Sequence, residues 1–109
     1  MTDHSDILDA VYRIILDRKY NPSDQSYVAS LYAKGLDKIL GKIGEEATEV
    51  AVAGKGGDRD QVVCEAADLI FHLLVLFGYY DLPPERVYQE LRRRFGTSGL
   101  AEKAARANP

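Results

Sequence analysis

The spacing of apolar residues predicts α-helices along most of the chain. Near the N-terminus, apolar positions recur at helical spacing behind Asp3 and Ser5, which predicts a first amphipathic helix that ends before the turn cluster 21–24. A short second helix is predicted over 26–33 and is stopped by Gly35. The chain contains no alternating polar and apolar run of useful length, no repeat and no low-complexity tract. The pattern therefore favours an all-α fold.

Three stronger segments and one weaker segment are predicted in the rest of the chain. The third helix is predicted from Leu36 to the glycines of 54–57, and the fourth from its cap Asp58 to about Tyr79. The fifth is predicted to start at 82–85 and to run through Phe95, and a weak last helix is predicted over 100–106. We expect a single domain, 1–109, that is a bundle of about five helices. A domain of this size buries roughly 60 to 70% of the surface that its unfolded chain exposes, so flat apolar faces would gain from dimerisation.

The fourth predicted helix is apolar on almost every face, yet it carries Glu65, Asp68 and His72 on one narrow stripe. Such a helix is normally buried, and a carboxylate that leaves water without a partner costs several kcal/mol. The two acids therefore need a cation or a water-filled cleft opposite them, or else a buried ion pair with a lysine or arginine. His72 is either a hydrogen-bonded core histidine or a residue near a substrate.

Acidic residues also mark one side of the third predicted helix. At about 100° per residue, Glu46 and Glu49 fall beside the apolar stripe, and Glu45 lies nearer solvent. Taken alone, these acids are typical of a solvated helix face. Taken with Glu65 and Asp68 on the fourth helix, they favour a divalent metal site. Oxygen ligands on two facing helices, with no cysteine among them, favour Mg²⁺ or Mn²⁺ over zinc.

Charge and composition narrow the possible partners and location. The 14 Lys and Arg residues against 17 Asp and Glu give a net charge of −3, which is too acidic for a nucleic-acid coat or a polybasic membrane anchor. The longest apolar stretch, 69–77, is interrupted by His72 and is far shorter than the ~20 residues that span a bilayer. Cys64 is alone, so we expect it to be a small buried hydrophobe in a reducing environment. We therefore expect a cytoplasmic protein with neither nucleic-acid nor membrane partners.

The acidic residues form one joint motif, Glu45-Glu46-x-x-Glu49, fifteen intervening residues and Glu65-x-x-Asp68. This motif resembles the signature of the all-α nucleoside triphosphate pyrophosphatases, the superfamily that includes MazG and the dimeric dUTPases. The surrounding sequence narrows the resemblance to the phosphoribosyl-ATP pyrophosphatase family of histidine biosynthesis. The segments that carry it are Ser26-Tyr27, 38–40, 42–50, 67–76 and 97–104.

The resemblance implies a MazG-like bundle completed by dimerisation. It also implies an enzyme that hydrolyses 1-(5-phosphoribosyl)-ATP to 1-(5-phosphoribosyl)-AMP and pyrophosphate with Mg²⁺. We expect the stand-alone form of this enzyme, because the cysteine zinc ligands of the cyclohydrolase to which the activity is often fused are missing. The implied metal ligands are Glu46, Glu49, Glu65 and Asp68, and the implied catalytic residues are Glu45, Glu46 and Glu49. Lysines are natural phosphate partners, so we also expect Lys38, Lys42 and Lys55, which lie along or just past the acidic helix, to contact the substrate. We further expect Arg94 to reach the phosphate of the phosphoribosyl group and His72 to lie near the substrate.

Three alternatives stay open at this point. Each of the lysines can be simple surface charge rather than a phosphate contact. A house-cleaning pyrophosphatase of MazG type would carry the same acids and act on dCTP or a damaged nucleotide. A non-catalytic helical module for metal binding or dimerisation would use the acids only to hold an ion. Pyrophosphate release from phosphoribosyl-ATP beside canonical dNTPs tests the enzyme alternatives, and removal of Glu46 or Asp68 tests the non-catalytic one.

Overall fold

The computed structural model describes residues 5–96, which fold into α-helices and, within this range, contain no β-strand. The helices are α1 (Ser5–Tyr20), α2 (Tyr27–Lys34), α3 (Leu36–Gly56), α4 (Arg59–Tyr79) and α5 (Glu85–Phe95). The predicted all-α class and the five stronger helices are confirmed. The predicted weak helix over 100–106 lies outside the described residues.

Local side-chain chemistry sets the helix ends next to the acidic segments. The hydroxyl of Ser26 accepts a hydrogen bond from the backbone N–H of Ala29 at 3.0 Å and caps α2. The carboxylate of Asp58 accepts from the N–H of Gln61 at 3.2 Å and caps α4. Gly57 ends α3 with a left-handed φ of 83°, which glycine adopts without strain. Because this connection is so short, α3 and α4 form an antiparallel pair that is packed along its length.

The hydrophobic core forms where the first four helices meet. Each of these helices contributes one of the largest fully buried side chains, which are Ile15, Leu31, Ile39 and Val75. Burial of an aliphatic side chain of this size stabilises the fold by about 1.5–3 kcal/mol. The fifth helix, α5, has no buried residue and makes only marginal contact with the other helices. The core therefore fixes α3 and α4, which carry the acidic motif, and leaves α5 at the edge.

Residues from α1 and α2 hold the C-terminal end of α4. The ammonium group of Lys19 donates to the carbonyl oxygen of Gly78 at 2.7 Å and lies 3.3 Å from the carboxylate of Asp81. The hydroxyl of Tyr32 donates to the carbonyl oxygen of Val75 at 2.7 Å. The carbonyl oxygen of Gly78 also accepts a hydrogen bond from the backbone N–H of Asp81 at 3.2 Å, so the side chain of Lys19 adds a second bond at the end of the helix. The bonds from Lys19 and Tyr32 also fix the position of α4 along its axis.

The exposure of α4 differs from the sequence expectation. Cys64 is exposed, so the prediction of a buried thiol is wrong for this chain taken by itself. Val63 and Ile70, on the same helix, are 67% and 43% exposed. The reason is that α1 and α3 cover only part of α4. Within the described residues, α4 is also the one helix whose length and composition would allow it to cross a membrane.

Candidate metal centre

Three glutamates from two helices meet at one point. Glu46 and Glu49 lie on α3, Glu65 lies on α4, and one carboxylate oxygen from each is within 4.8 Å of the other two. Residues three apart on a helix share a face, so both α3 acids turn toward α4. Glu46 is buried, with 6% of its surface exposed, Glu65 is half-buried, and Glu49 is exposed. The acidic cluster, as we call these three glutamates, therefore begins inside the bundle and opens to solvent.

The three carboxylates of the acidic cluster are only partly compensated by positive charge, because within the described residues Lys42 forms an ion pair with Glu46 alone among them. Oxygen Oε2 of Glu46 and oxygen Oε2 of Glu65 are buried without a hydrogen-bond partner among the same residues. The carboxylates of Glu65 and Glu46 raise the pKa of Glu49 to about 7, first because they accept a hydrogen bond from its protonated form and second because like charges repel. A proton thus stays on Glu49 up to nearly neutral pH. A divalent cation would supply the missing charge more completely.

The donor set fits Mg²⁺ or Mn²⁺. These cations prefer carboxylate oxygen to sulfur, and the acidic cluster contributes carboxylates only. Mg²⁺ binds oxygen at about 2.0–2.1 Å, so its ligands lie up to about 4.2 Å apart. Small side-chain rotations would bring the three oxygens from their observed spread into that range.

Asp68, the fourth predicted metal ligand, lies one helical turn beyond Glu65 on α4. Its side chain is exposed, and it is not one of the three glutamates that meet in the acidic cluster. The charge of Asp68, like those of Glu45 and Glu46, acts on the hydroxyl of Tyr27. The role of Asp68 as a ligand stays a prediction.

Lys42 is a cation that the structure places at the acidic cluster. Its ammonium nitrogen lies 3.2 Å from Oε2 of Glu45 and 3.4 Å from Oε1 of Glu46. The hydrogen bond to Glu45 is the main cause that raises the pKa of Lys42. Lys38 lies one turn earlier on α3 and Lys55 lies in its last turn, and both are exposed. Contact of these lysines with a phosphate stays a prediction.

His72 lies in the core with both ring nitrogens in polar contacts. It is 5% exposed, its Nδ1 is 2.7 Å from the carbonyl oxygen of Asp68, and its Nε2 is 2.8 Å from the hydroxyl of Tyr27. A carbonyl oxygen can only accept, so Nδ1 carries the hydrogen of that bond and Nε2 can accept from Tyr27. Burial raises the pKa of the Tyr27 hydroxyl, which keeps it a donor. This geometry matches a hydrogen-bonded core histidine, and a direct contact of His72 with substrate stays a prediction.

Tyr27 belongs to a segment that carries the family resemblance, but it was not among the predicted site residues, and the structure places it next to the site. Its ring is 49% exposed and packs beside Phe71 and His72. Its hydroxyl is also close enough to Lys42 for the lysine charge to act on its pKa. The sequence contains no local signal for this contact, because Tyr27 and His72 are 45 residues apart. Only the packing of α2 on the bundle brings them together.

Arg94 is not among the residues that meet at the acidic cluster. Its guanidinium Nε donates to Oε2 of Glu90 at 2.8 Å, and Arg93 binds the same carboxylate. These two arginines lower the pKa of Glu90 to about 2. The network lies on α5, which makes only marginal contact with the other helices. A contact of Arg94 with substrate stays a prediction.

Comparisons with known proteins indicate the same family that the acidic motif resembles. The family described as Phosphoribosyl-ATP pyrophosphohydrolase matches residues 8–95 of the chain. A phosphoribosyl-ATP pyrophosphatase of Geotalea daltonii is 66% identical over 103 residues, which cover 94% of this chain and 97% of that protein. Proteins of the same name from Geobacter metallireducens and Methanocella arvoryzae are 65% and 50% identical, over 97% and 83% of this chain and 97% of each relative. The chain therefore belongs to the phosphoribosyl-ATP pyrophosphohydrolase family.

Proposed function

We propose that this protein hydrolyses 1-(5-phosphoribosyl)-ATP to 1-(5-phosphoribosyl)-AMP and pyrophosphate, the second step of histidine biosynthesis. The observation that carries the proposal is the meeting of Glu46, Glu49 and Glu65, because Glu46 and Glu65 each keep one buried carboxylate oxygen without a hydrogen-bond partner among the described residues. Burial of such groups is costly unless a cation binds them. Membership of the family supports the same reaction.

Glu46, Glu49 and Glu65 would hold a Mg²⁺ or Mn²⁺ ion, and Asp68 would join them from the next turn of α4. When bound, the cation supplies the Lewis acidity and the charge neutralisation that hydrolysis of a phosphoanhydride requires. Acids alone would repel a polyphosphate. The buried position of Glu46 keeps its carboxylate in one place, which is the preorganisation that such a site needs.

Glu45 is suited to accept a proton from the attacking water. It lies next to the ligand Glu46 in the chain, but its side chain is exposed and so stays accessible to water. Lys42 holds Glu45 in place before the substrate binds. When a polyphosphate arrives, Lys42 is placed to exchange this contact for a phosphate oxygen, and the carboxylate of Glu45 is then free to act as a base.

The remaining predicted contacts surround this centre. Lys38 and Lys55 lie along α3 on either side of the acids and would bind further phosphate oxygens. Arg94 would bind the phosphate of the phosphoribosyl group. His72 would act on substrate through Tyr27, whose partly exposed ring and hydroxyl are oriented by the histidine.

The protein is proposed to act as a homodimer whose second subunit covers part of the active site. Val63 and Ile70 leave an apolar face on α4. Beside them is a groove of about 250 Å³ between α1 and α4, lined by Leu8, Val11, Ala67, Ile70, Phe71 and Leu74. A second copy of the chain offers a matching apolar face, as two-fold association requires. The single chain leaves part of the apolar surface of α4 exposed to solvent. Dimerisation would bury this surface on the helix that also carries Glu65.

We place the enzyme in the cytoplasm, with the nucleotide substrate as its small-molecule partner and with neither nucleic acid nor membrane as a partner. The net charge of −3 does not favour association with an anionic polymer or an anionic lipid surface. Although α4 is apolar enough to span a bilayer, it carries Glu65 and His72 toward neighbouring helices, which suits the core of a bundle.

The experiment that tests the proposal is a substrate panel. Purified protein with Mg²⁺ is incubated with phosphoribosyl-ATP, dCTP and the other dNTPs, and pyrophosphate release is measured. We expect phosphoribosyl-ATP to be hydrolysed fastest, and Glu46→Gln to abolish the reaction while the helical circular dichroism signal persists. Faster hydrolysis of a dNTP would instead indicate a house-cleaning pyrophosphatase. If the protein binds Mg²⁺ but hydrolyses none of these nucleotides, the result would indicate a non-catalytic module.

A further inference from the structure

The two more buried glutamates of the acidic cluster each have one oxygen in contact with a polar side chain, through a hydrogen bond in Glu65 and an ion pair in Glu46. Oxygen Oε1 of Glu65 accepts a hydrogen bond from the side-chain amide of Gln61 at 2.6 Å, and Oε1 of Glu46 lies 3.4 Å from the ammonium group of Lys42. In each case the partner is four residues earlier on the same helix. Oxygen Oε2 of each glutamate is buried and has no hydrogen-bond partner within the described part of the chain. Each carboxylate therefore has one oxygen in a polar contact and a second oxygen left for a cation.

Gln61 is well placed to hold Glu65 in this orientation. It lies in the first turn of α4, and its backbone N–H is bonded to the capping carboxylate of Asp58. Its amide group donates hydrogen bonds but carries no charge at any pH. Unlike Lys42, it can occupy an oxygen of the carboxylate without adding a positive charge to the acidic cluster. Orientation is therefore its main contribution.

Whether a carboxylate binds a cation through one oxygen or through both influences which cation the site prefers. Mg²⁺ requires nearly octahedral coordination by oxygens at about 2.0–2.1 Å. Ca²⁺ accepts six to eight oxygens at about 2.3–2.6 Å and often binds both oxygens of one carboxylate. A hydrogen bond to one oxygen of a glutamate uses one of that oxygen's lone pairs and fixes the orientation of the carboxylate, which favours binding of a cation through the other oxygen alone.

We propose that Gln61 is a positioning residue that makes Glu65 a one-oxygen ligand and thereby favours Mg²⁺ over Ca²⁺. This inference rests on the proposed metal-dependent function. It concerns the selectivity of the centre, which the family motif does not specify, and it assigns a role to a residue outside that motif. Loss of the Gln61 amide frees Oε1 of Glu65, and the released carboxylate can then bind the larger ion through both oxygens.

The test measures metal binding without nucleotide. Full-length wild-type protein and the variants are titrated with Mn²⁺, bound ion is followed by electron paramagnetic resonance, and Mg²⁺ or Ca²⁺ is used to displace it. We expect Gln61→Ala to shift the ratio of the two dissociation constants about tenfold toward Ca²⁺, the size of effect seen when partners of metal ligands are removed. Gln61→Lys keeps an N–H donor, as in the Lys42 and Glu46 pair, so it should retain the wild-type preference.

Gln89→Ala is the matched control, because Gln89 is an exposed glutamine on α5, outside the acidic cluster. An unchanged ratio in Gln61→Ala, or a parallel loss of both ions, would overturn the inference even if the wild type hydrolyses phosphoribosyl-ATP. A shifted ratio in a protein that hydrolyses no nucleotide would support the inference and refute the proposed reaction. A wild type that binds none of the three ions would refute both.

Discussion

The hydroxyl of Tyr27 lies 2.8 Å from Nε2 of His72, and this contact joins α2 to α4 beside the acidic cluster. Tyr27→Phe removes the hydroxyl and keeps the ring, so the buried Nε2 of His72 loses its partner. We expect the free energy of unfolding to fall by about 1–3 kcal/mol, the cost of leaving a buried polar atom unsatisfied. Urea denaturation measures this change.

Tyr80→Phe is the control for that measurement, because Tyr80 is an exposed tyrosine at the C-terminal end of α4. Tyr80 is fifteen residues beyond Glu65, which corresponds to about 22 Å of helix. The control should leave the unfolding free energy nearly unchanged. Equal losses in both variants would argue against a structural role for the contact between Tyr27 and His72.

Gly78 is a second position where packing predicts a clear effect. A Cβ at this residue would collide with the hydroxyl of Tyr32 and lie 3.2 Å from Cγ2 of Ile15. We expect Gly78→Ala to destabilise the fold by about 1–3 kcal/mol, as overpacking of a core does. Gly41→Ala, at an exposed glycine of α3 with open space around it, should instead stabilise the helix by up to about 1 kcal/mol.

A double-mutant cycle shows whether the collision causes the loss. Tyr32→Phe removes the hydroxyl, so Gly78→Ala should cost less in that background than in the wild type. The unfolding free energies of the four proteins give the coupling between the two sites. Purely additive losses would mean that the hydroxyl of Tyr32 is not the obstacle.

Stability should depend on pH through Glu49 when no metal is bound. Its pKa is raised from 4.5 to about 7 in the folded protein, because the carboxylates of Glu65 and Glu46 face it. The folded state therefore holds this proton more tightly than the unfolded state does. The resulting stabilisation is complete below pH 4.5 and is lost as the pH rises through about 7.

Thermal denaturation across this pH window, with and without Mg²⁺, checks the prediction. Glu49→Gln should remove this contribution, and saturating Mg²⁺ should reduce the loss because the cation replaces the proton in the cluster. A metal-free wild type that gains stability relative to Glu49→Gln between pH 4.5 and about 7 would contradict the raised pKa of Glu49.

Substitutions of the neighbouring residues Glu45 and Glu46 should have different effects on metal binding and on activity. Glu46→Gln replaces a buried carboxylate that is a proposed metal ligand, so we expect loss of both Mn²⁺ binding and activity. Glu45→Gln removes the proposed proton acceptor on the exposed side, so metal binding should persist while kcat falls by about 10²–10⁴-fold. Electron paramagnetic resonance and pyrophosphate release measure the two properties separately. Loss of metal binding in Glu45→Gln would move that residue into the ligand set.

The apolar face of α4 predicts the oligomeric state. A charge at Val63 or Ile70 would have to be buried against the second copy, so Val63→Glu with Ile70→Glu should halve the mass measured by light scattering. Ala33→Glu, at an exposed position of α2, is the control and should leave the dimer intact. A wild type that is monomeric at all concentrations tested would refute the proposed dimer.

The sequence was sufficient where the deciding interactions are local. Ser26 and Asp58 cap helices through bonds to residues three positions later, so their spacing alone predicts where α2 and α4 begin. The shared face of Glu46 and Glu49 follows from helical periodicity in the same way. That Glu65 joins them was predictable only through the joint motif, since the contact is between two helices.

Contacts between distant segments could not be derived from one sequence. The bond between Tyr27 and His72 depends on how α2 packs against α4. The exposure of Cys64 was mispredicted for a related reason, because an apolar helix indicates that it is buried somewhere but not which of its faces a single chain covers. Helix periodicity reports the face of a residue on its own helix, whereas its neighbours depend on the assembled fold.

The most direct measurement of the central claim is genetic complementation, because it tests substrate and pathway together. A bacterial strain that requires histidine because it lacks phosphoribosyl-ATP pyrophosphatase is supplied with the wild-type chain or with Glu46→Gln, and growth without histidine is recorded. We expect growth with the wild type and none with Glu46→Gln at equal protein levels. Failure of the soluble, folded wild type to restore growth, or restoration by Glu46→Gln, would contradict the proposed function.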